Sequence, residues 1–161
     1  MKCFLPLFAL ISCTSSSPWQ VSHLPGAEKE FDSARLTYPV RDKVNEVAVE
    51  MIYTKNQLRT YLVVHTLAVP PYQGDPQKAL VTLKIPEQSF QEVAARHQGG
   101  QRISLPPHLQ DILVETLASG HSATIELQGY STQLSPNQFS TAYEKMKKNP
   151  LNIPVQLTFK L

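Results

Sequence analysis

The chain has 161 residues, room for one domain of ordinary size. Hydrophobic residues make up 42% of it and charged residues 17%, which supports a packed core and argues against global disorder. Thirteen prolines leave no space for a long coiled coil or helical solenoid, and a net charge of +2, with no basic run longer than Lys147-Lys148, gives no phosphate-neutralising surface, so nucleic acid is not an expected partner.

Lys2 is followed by the apolar run Cys3-Phe4-Leu5-Pro6-Leu7-Phe8-Ala9-Leu10-Ile11. Such a run is too short for a transmembrane helix, which needs about 20 residues. Its layout, a charge and then an apolar stretch, is that of an export signal. It ends in Leu10-Ile11-Ser12-Cys13, which resembles the lipobox of bacterial lipoproteins: a branched apolar residue, a tolerant position, a small residue and the acylated cysteine. The resemblance covers the leader alone, and the leader is short, with Lys2 as its one positive charge. It implies cleavage by signal peptidase II between Ser12 and Cys13, a diacylglyceryl thioether on Cys13, and palmitate-type acylation that holds the protein in a membrane. The expected division is a signal peptide over 1–12, a lipidated tether and approach segment over 13–40, and a single domain over 41–161. Thr14-Ser15-Ser16-Ser17-Pro18 has the small, polar composition of a flexible tether. The chain has two cysteines; with Cys3 removed and Cys13 alkylated, no free thiol would remain for a disulfide, a nucleophile or a thiolate metal site. Trp19 is expected either at the lipid interface or docked on the domain.

Pro18, Pro25, Gly26 and Pro39 punctuate the approach segment, and no periodicity is read there. Val47, Val49, Met51 and Tyr53 then alternate with Glu46 and Glu50 as a strand. Thr54-Lys55-Asn56-Gln57 is a polar turn into a second strand over 58–69, apolar on both faces at Tyr61-Leu62-Val63-Val64 and therefore central in its sheet. A third strand is expected over 80–85. Phe90, Val93, Ala94 and His97 fall at helical spacing before Gly99-Gly100, which predicts a short helix. The tripeptide Gly99-Gly100-Gln101 matches one found in peptide-release factors, but an export leader and low net charge favour a helix-stopping glycine pair. Residues 103–105 form a brief strand, and Pro106-Pro107 opens a helix with Leu109, Ile112, Leu113, Thr116 and Leu117 on one stripe and Gly120 as its C-cap. Ala123, Ile125 and Leu127 alternate as a strand. Ser135, Pro136 and Gln138 form a capping-box start for a last helix carrying Phe139, Ala142, Tyr143 and Met146. A terminal strand is expected over 153–161. The fold class is α+β: a mainly antiparallel sheet or small sandwich of about six strands with two or three helices.

The histidines are His23, His65, His97, His108 and His121. His108 and Asp111 lie one helical turn apart, but two groups do not make a metal site. His65 is expected as a hydrogen-bonded core histidine in its apolar strand. Ser119-Gly120-His121-Ser122 lacks a nucleophile elbow and sits at a helix end. Glu46 and Glu50 lie about 13 Å apart along a strand, too far for an acid–base pair, and Glu28, Glu30 and Asp32 read as solvated. No catalytic residue, metal ligand or cofactor is assigned, and Cys13 is the one site residue. The run Ile112-Leu113, Leu117, Gly120, Ile125, Tyr130, Phe139, Ala142-Tyr143 resembles the helix–strand–strand–helix ending of invasion-associated-locus-B-type envelope proteins, with Gln138 where those have glycine. That resemblance implies a small exported binding domain. The expected function is a lipid-anchored cell-envelope lipoprotein, in the outer membrane if the organism is Gram-negative, whose non-catalytic domain binds or supports an envelope or host protein. The alternatives are a small envelope hydrolase acting on peptidoglycan or lipid, and a carrier of a lipophilic ligand.

Overall fold

A computed structural model describes residues 17–26, 32–41 and 44–148. The leader over 1–12, Cys13, Glu28, Glu30 and the expected strand over 153–161 lie outside the described residues.

The elements, in order, are β1 (Gln20–Leu24), β2 (Ser33–Tyr38), β3 (Ala48–Thr54), β4 (Gln57–Val63), β5 (Lys78–Ile85), β6 (Gln88–Arg96), β7 (Arg102–Ser104), α1 (Pro107–Ala118), β8 (Ala123–Leu127), β9 (Tyr130–Leu134) and α2 (Phe139–Lys147). The strands form one sheet in the order β1-β2-β3-β4-β7-β6-β5-β8-β9, with antiparallel pairing throughout. The chain is therefore α+β and antiparallel, with nine described strands rather than about six, and in one sheet.

Alternation puts Leu36, Met51, Leu62, Ile103, Val81, Leu83 and Ile125 on one face, fully buried. Both helices pack on that face. α1 lays Leu109, Leu113 and Leu117 against it, and α2 lays Phe139, Ala142 and Met146. Pro107 at the start of α1 has no N–H to leave unsatisfied. The helix ends in a Schellman arrangement: Gly120, at φ +83°, donates to the Leu117 carbonyl and His121 to that of Thr116, both at 3.1 Å. Gln110, buried on α1, accepts a 2.9 Å hydrogen bond from the Thr60 hydroxyl on β4.

Several expectations require correction. Residues 88–96 form a strand, not a helix, because Pro86-Glu87 makes a two-residue connection and β6 pairs with β5 along its whole length, Ile85 opposite Gln88 through Lys78 opposite Ala95. The second strand ends at Val63 rather than continuing to 69, and His65 beyond it is exposed in a bend, not buried. β4 does lie inside the sheet, between β3 and β7. The last helix begins at Phe139: the Ser135 hydroxyl accepts from the Asn137 N–H at 3.2 Å, and Gln138 turns to φ +59° without capping. The approach segment contributes β1 and β2 to the sheet, and of the two places expected for Trp19 the structure shows docking on the domain, in its core. Its ring meets Tyr38 and Phe139 edge-on at 4.9 and 5.0 Å, and its Nε1–H donates to the Ser135 carbonyl at 2.8 Å.

One glycine anchors the long connection after β4. The Arg96 side chain donates to the Val69 and Pro76 carbonyls, both at 2.8 Å. Gly100, at φ +69°, lies so close that an added Cβ would stand 2.0 Å from Arg96 Nη2. Gly100→Ala is therefore expected to cost about 1–3 kcal/mol from backbone strain and loss of the Arg96 anchor. A lowered urea midpoint, with hydrogen-exchange protection lost at the Val69 amide, is the measurement.

Candidate functional site

The face opposite the helices carries the polar half of each strand's alternation, and its centre is an array of charged and aromatic groups. Register places Glu50 opposite Tyr61, and Tyr61 opposite Ser104. Arg35 on β2 and Arg102 on β7 approach the Glu50 carboxylate from either side, at 3.7 and 3.6 Å. The Arg102 guanidinium stacks over the Tyr61 ring, 3.8 Å from its centre. His97 meets the same ring edge-on at 5.8 Å, and its Nε2 is 2.7 Å from the Ser104 hydroxyl. Arg59 adds an exposed positive charge one register step away, opposite Ile52.

Two guanidinium groups around one carboxylate leave the array net positive. The groups hold each other in place: Arg35 is further fixed by the Ser22 hydroxyl, 3.3 Å from its Nε. Apolar surface borders the array at half-buried Ile52, Val63 and Leu80, and at Val93, which is 47% exposed. Arginine and tyrosine next to partly exposed apolar groups is the composition of a protein-recognition surface. The His97–Ser104 contact also has the distance of a base–nucleophile pair. Among the described residues no carboxylate touches His97.

The other histidines are dispersed. His108 does not act with Asp111; its Nδ1 lies 2.5 Å from Glu92 Oε1 on β6, and its ring is edge-on to Phe90 at 6.2 Å. His121 follows the end of α1, where Ser119 and Gly120 terminate the helix. His23, on β1, borders a shallow groove with Glu144, Lys145 and Lys148. Glu46 is not part of the Glu50 array; it accepts from the Arg41 N–H at 2.7 Å. Sequence reasoning missed the pairs His97–Ser104 and His108–Glu92 because both depend on residues 88–96 being a strand. The inward face, Phe90, Glu92, Ala94 and Arg96, mixes apolar and charged residues and so gives no strand alternation; the one local signal is the Pro86-Glu87 connection between two runs of strand length.

Among the described residues no three histidine, cysteine or acidic side chains gather in a metal-holding group, and no helix is long and apolar enough to cross a membrane. No family model, curated protein or solved structure matches the chain.

Proposed function

We propose that the chain is a lipid-anchored envelope lipoprotein, acylated at Cys13, whose domain binds an envelope or host protein through the helix-free face of its sheet. The observation that carries the binding half is the Arg35–Glu50–Arg102–Tyr61 array, joined by mutual contacts and bordered by half-buried Ile52, Val63 and Leu80 and by exposed Val93. Pre-ordered side chains lose little entropy on association, which makes them good anchors. The anchoring half rests on Leu10-Ile11-Ser12-Cys13.

Two measurements test the halves separately. Cys13→Ala is expected to yield an unprocessed precursor that incorporates no radiolabelled palmitate; equal labelling of variant and wild type refutes the anchor. A photo-crosslinking residue in place of Val93 is expected to give a discrete adduct in native membranes, lost when Tyr61→Ala and Arg102→Ala are combined. An adduct that survives the double change refutes the surface. The 2.7 Å His97–Ser104 contact favours the hydrolase as the second reading. Ser104→Ala that keeps its membrane level and its adduct, yet loses its phenotype, would put that reading first.

A further inference from the structure

A second feature lies on the other side of the molecule, between the β5–β6 turn and α1. There Ile85, Phe90 and Ile112, each half-buried, floor a cleft of about 520 Å3, within the ~300–1,000 Å3 usual for ligand sites. Glu87 from the turn and Glu115 from α1 stand exposed on its rim, and neither has an ion-pair partner among the described residues. No lysine or arginine lines the cleft, and α1 carries none along its whole length. The nearest strand lysine, Lys84, points to the opposite face and pairs with Glu126 at 2.7 Å. His121 is the one basic side chain on the rim.

We infer that this cleft binds a partner polypeptide segment that presents a lysine or arginine beside an apolar side chain. An anion would meet two carboxylates of like sign. A purely apolar ligand would cover the floor and leave both rim carboxylates without a partner. A metal ion would find two carboxylates and an apolar floor, short of the six or more oxygens a calcium ion takes. A long cationic side chain answers both halves of the site: its methylene stem covers the floor while its charged head reaches the rim. A neighbouring apolar residue of the same segment fills the rest. The inference is independent of the surface around Tyr61, which lies on the opposite face and is net positive.

The test is a nuclear magnetic resonance titration of the 15N-labelled full chain with the peptide acetyl-Leu-Arg-Leu-amide. Its citrulline counterpart is the uncharged control, and free argininamide is the small-molecule control. The arginine peptide is expected to give saturable shifts at Ile85, Phe90 and Ile112, and to bind about fivefold more tightly than the citrulline peptide, the effect of two rim-exposed charge contacts. Glu87→Gln combined with Glu115→Gln changes only exposed side chains and should remove that preference. His121→Gln should not weaken binding. Equal affinity for the two peptides overturns the inference, as does a preference that survives the double change. Shifts centred on Tyr61 and Arg102 would also overturn it. Argininamide binding as tightly as the peptide would rule out a polypeptide as the intended ligand.

Discussion

Phe139→Ala is expected to lower stability by about 3–5 kcal/mol, the usual cost of deleting a fully buried aromatic ring. Phe139 has no exposed surface, and it packs between Trp19, at 5.0 Å, and Tyr143, stacked at 5.4 Å. Removing it opens a cavity between α2 and the first two strands, which neither can close without repacking. A fall in the urea midpoint at constant slope is the direct measurement. A second readout is local. Burial raises the Tyr143 phenol above its ordinary 10.0, with the nearby Lys147 acting in the opposite direction. Because the folded value is the higher one, the protonated phenol's contribution is complete below about pH 10 and is lost as pH rises through the raised value. In Phe139→Ala the phenolate absorbance should appear at lower pH than in wild type, as water reaches the ring.

Trp19→Ala carries a similar expected loss, about 3–5 kcal/mol, and asks a different question. Residue 19 precedes the first strand, and the sequence leaves it between the lipid interface and the domain; in the fold its side chain is buried, at 3% exposure. It joins the start of the sheet to the Ser135 carbonyl beyond β9. A large drop in the urea midpoint means that the folded unit begins with this residue. An unchanged midpoint means that the ring docks passively and that the cooperative unit starts later. Trp19 and Phe139 touch, so the double substitution should cost less than the two single losses combined.

The legible parts of the fold are those whose local signals agree with each other. β3 and β4 combine alternating burial with a Lys55-Asn56 turn in which both residues take positive φ, 48° and 62°, the geometry a two-residue hairpin needs. α1 combines a proline start, an apolar stripe and a glycine stop. β6 was hidden by conflict between levels. Its inward positions include Glu92 and Arg96, which look wrong for a buried strand face until their partners are known. Those partners, His108 and the Val69 and Pro76 carbonyls, come from elsewhere in the chain. Meanwhile Phe90, Val93, Ala94 and His97 fit a helical period by coincidence. β2 carries a readable pattern, Ala34, Leu36 and Tyr38 alternating inward against Arg35 and Thr37, although Pro25, Gly26 and Pro39 on either side give the segment the punctuation of a loop. The Glu50 array was half visible, since Glu50 and Tyr61 face each other across a hairpin, whereas Arg102 arrives through a pairing that no local pattern announces.

The order of strands in the sheet also sets how the chain reaches it. The β3–β4, β5–β6 and β8–β9 hairpins are local and can close within about 1–10 μs. The pairs β1–β2, β2–β3 and β6–β7 also join strands adjacent in sequence, but three closures are long: β4 must wait for β7, β5 for β8, and the Trp19 indole for a carbonyl 116 positions away. Each of these closures loses chain entropy before any contact repays it, which places sheets of this kind among the slower folders, at roughly milliseconds to seconds. The segment with β1 and β2 gains the Ser135 carbonyl and the Phe139 ring around Trp19 only once the chain has been made as far as α2, so the indole is the part of the first strands whose burial is completed last.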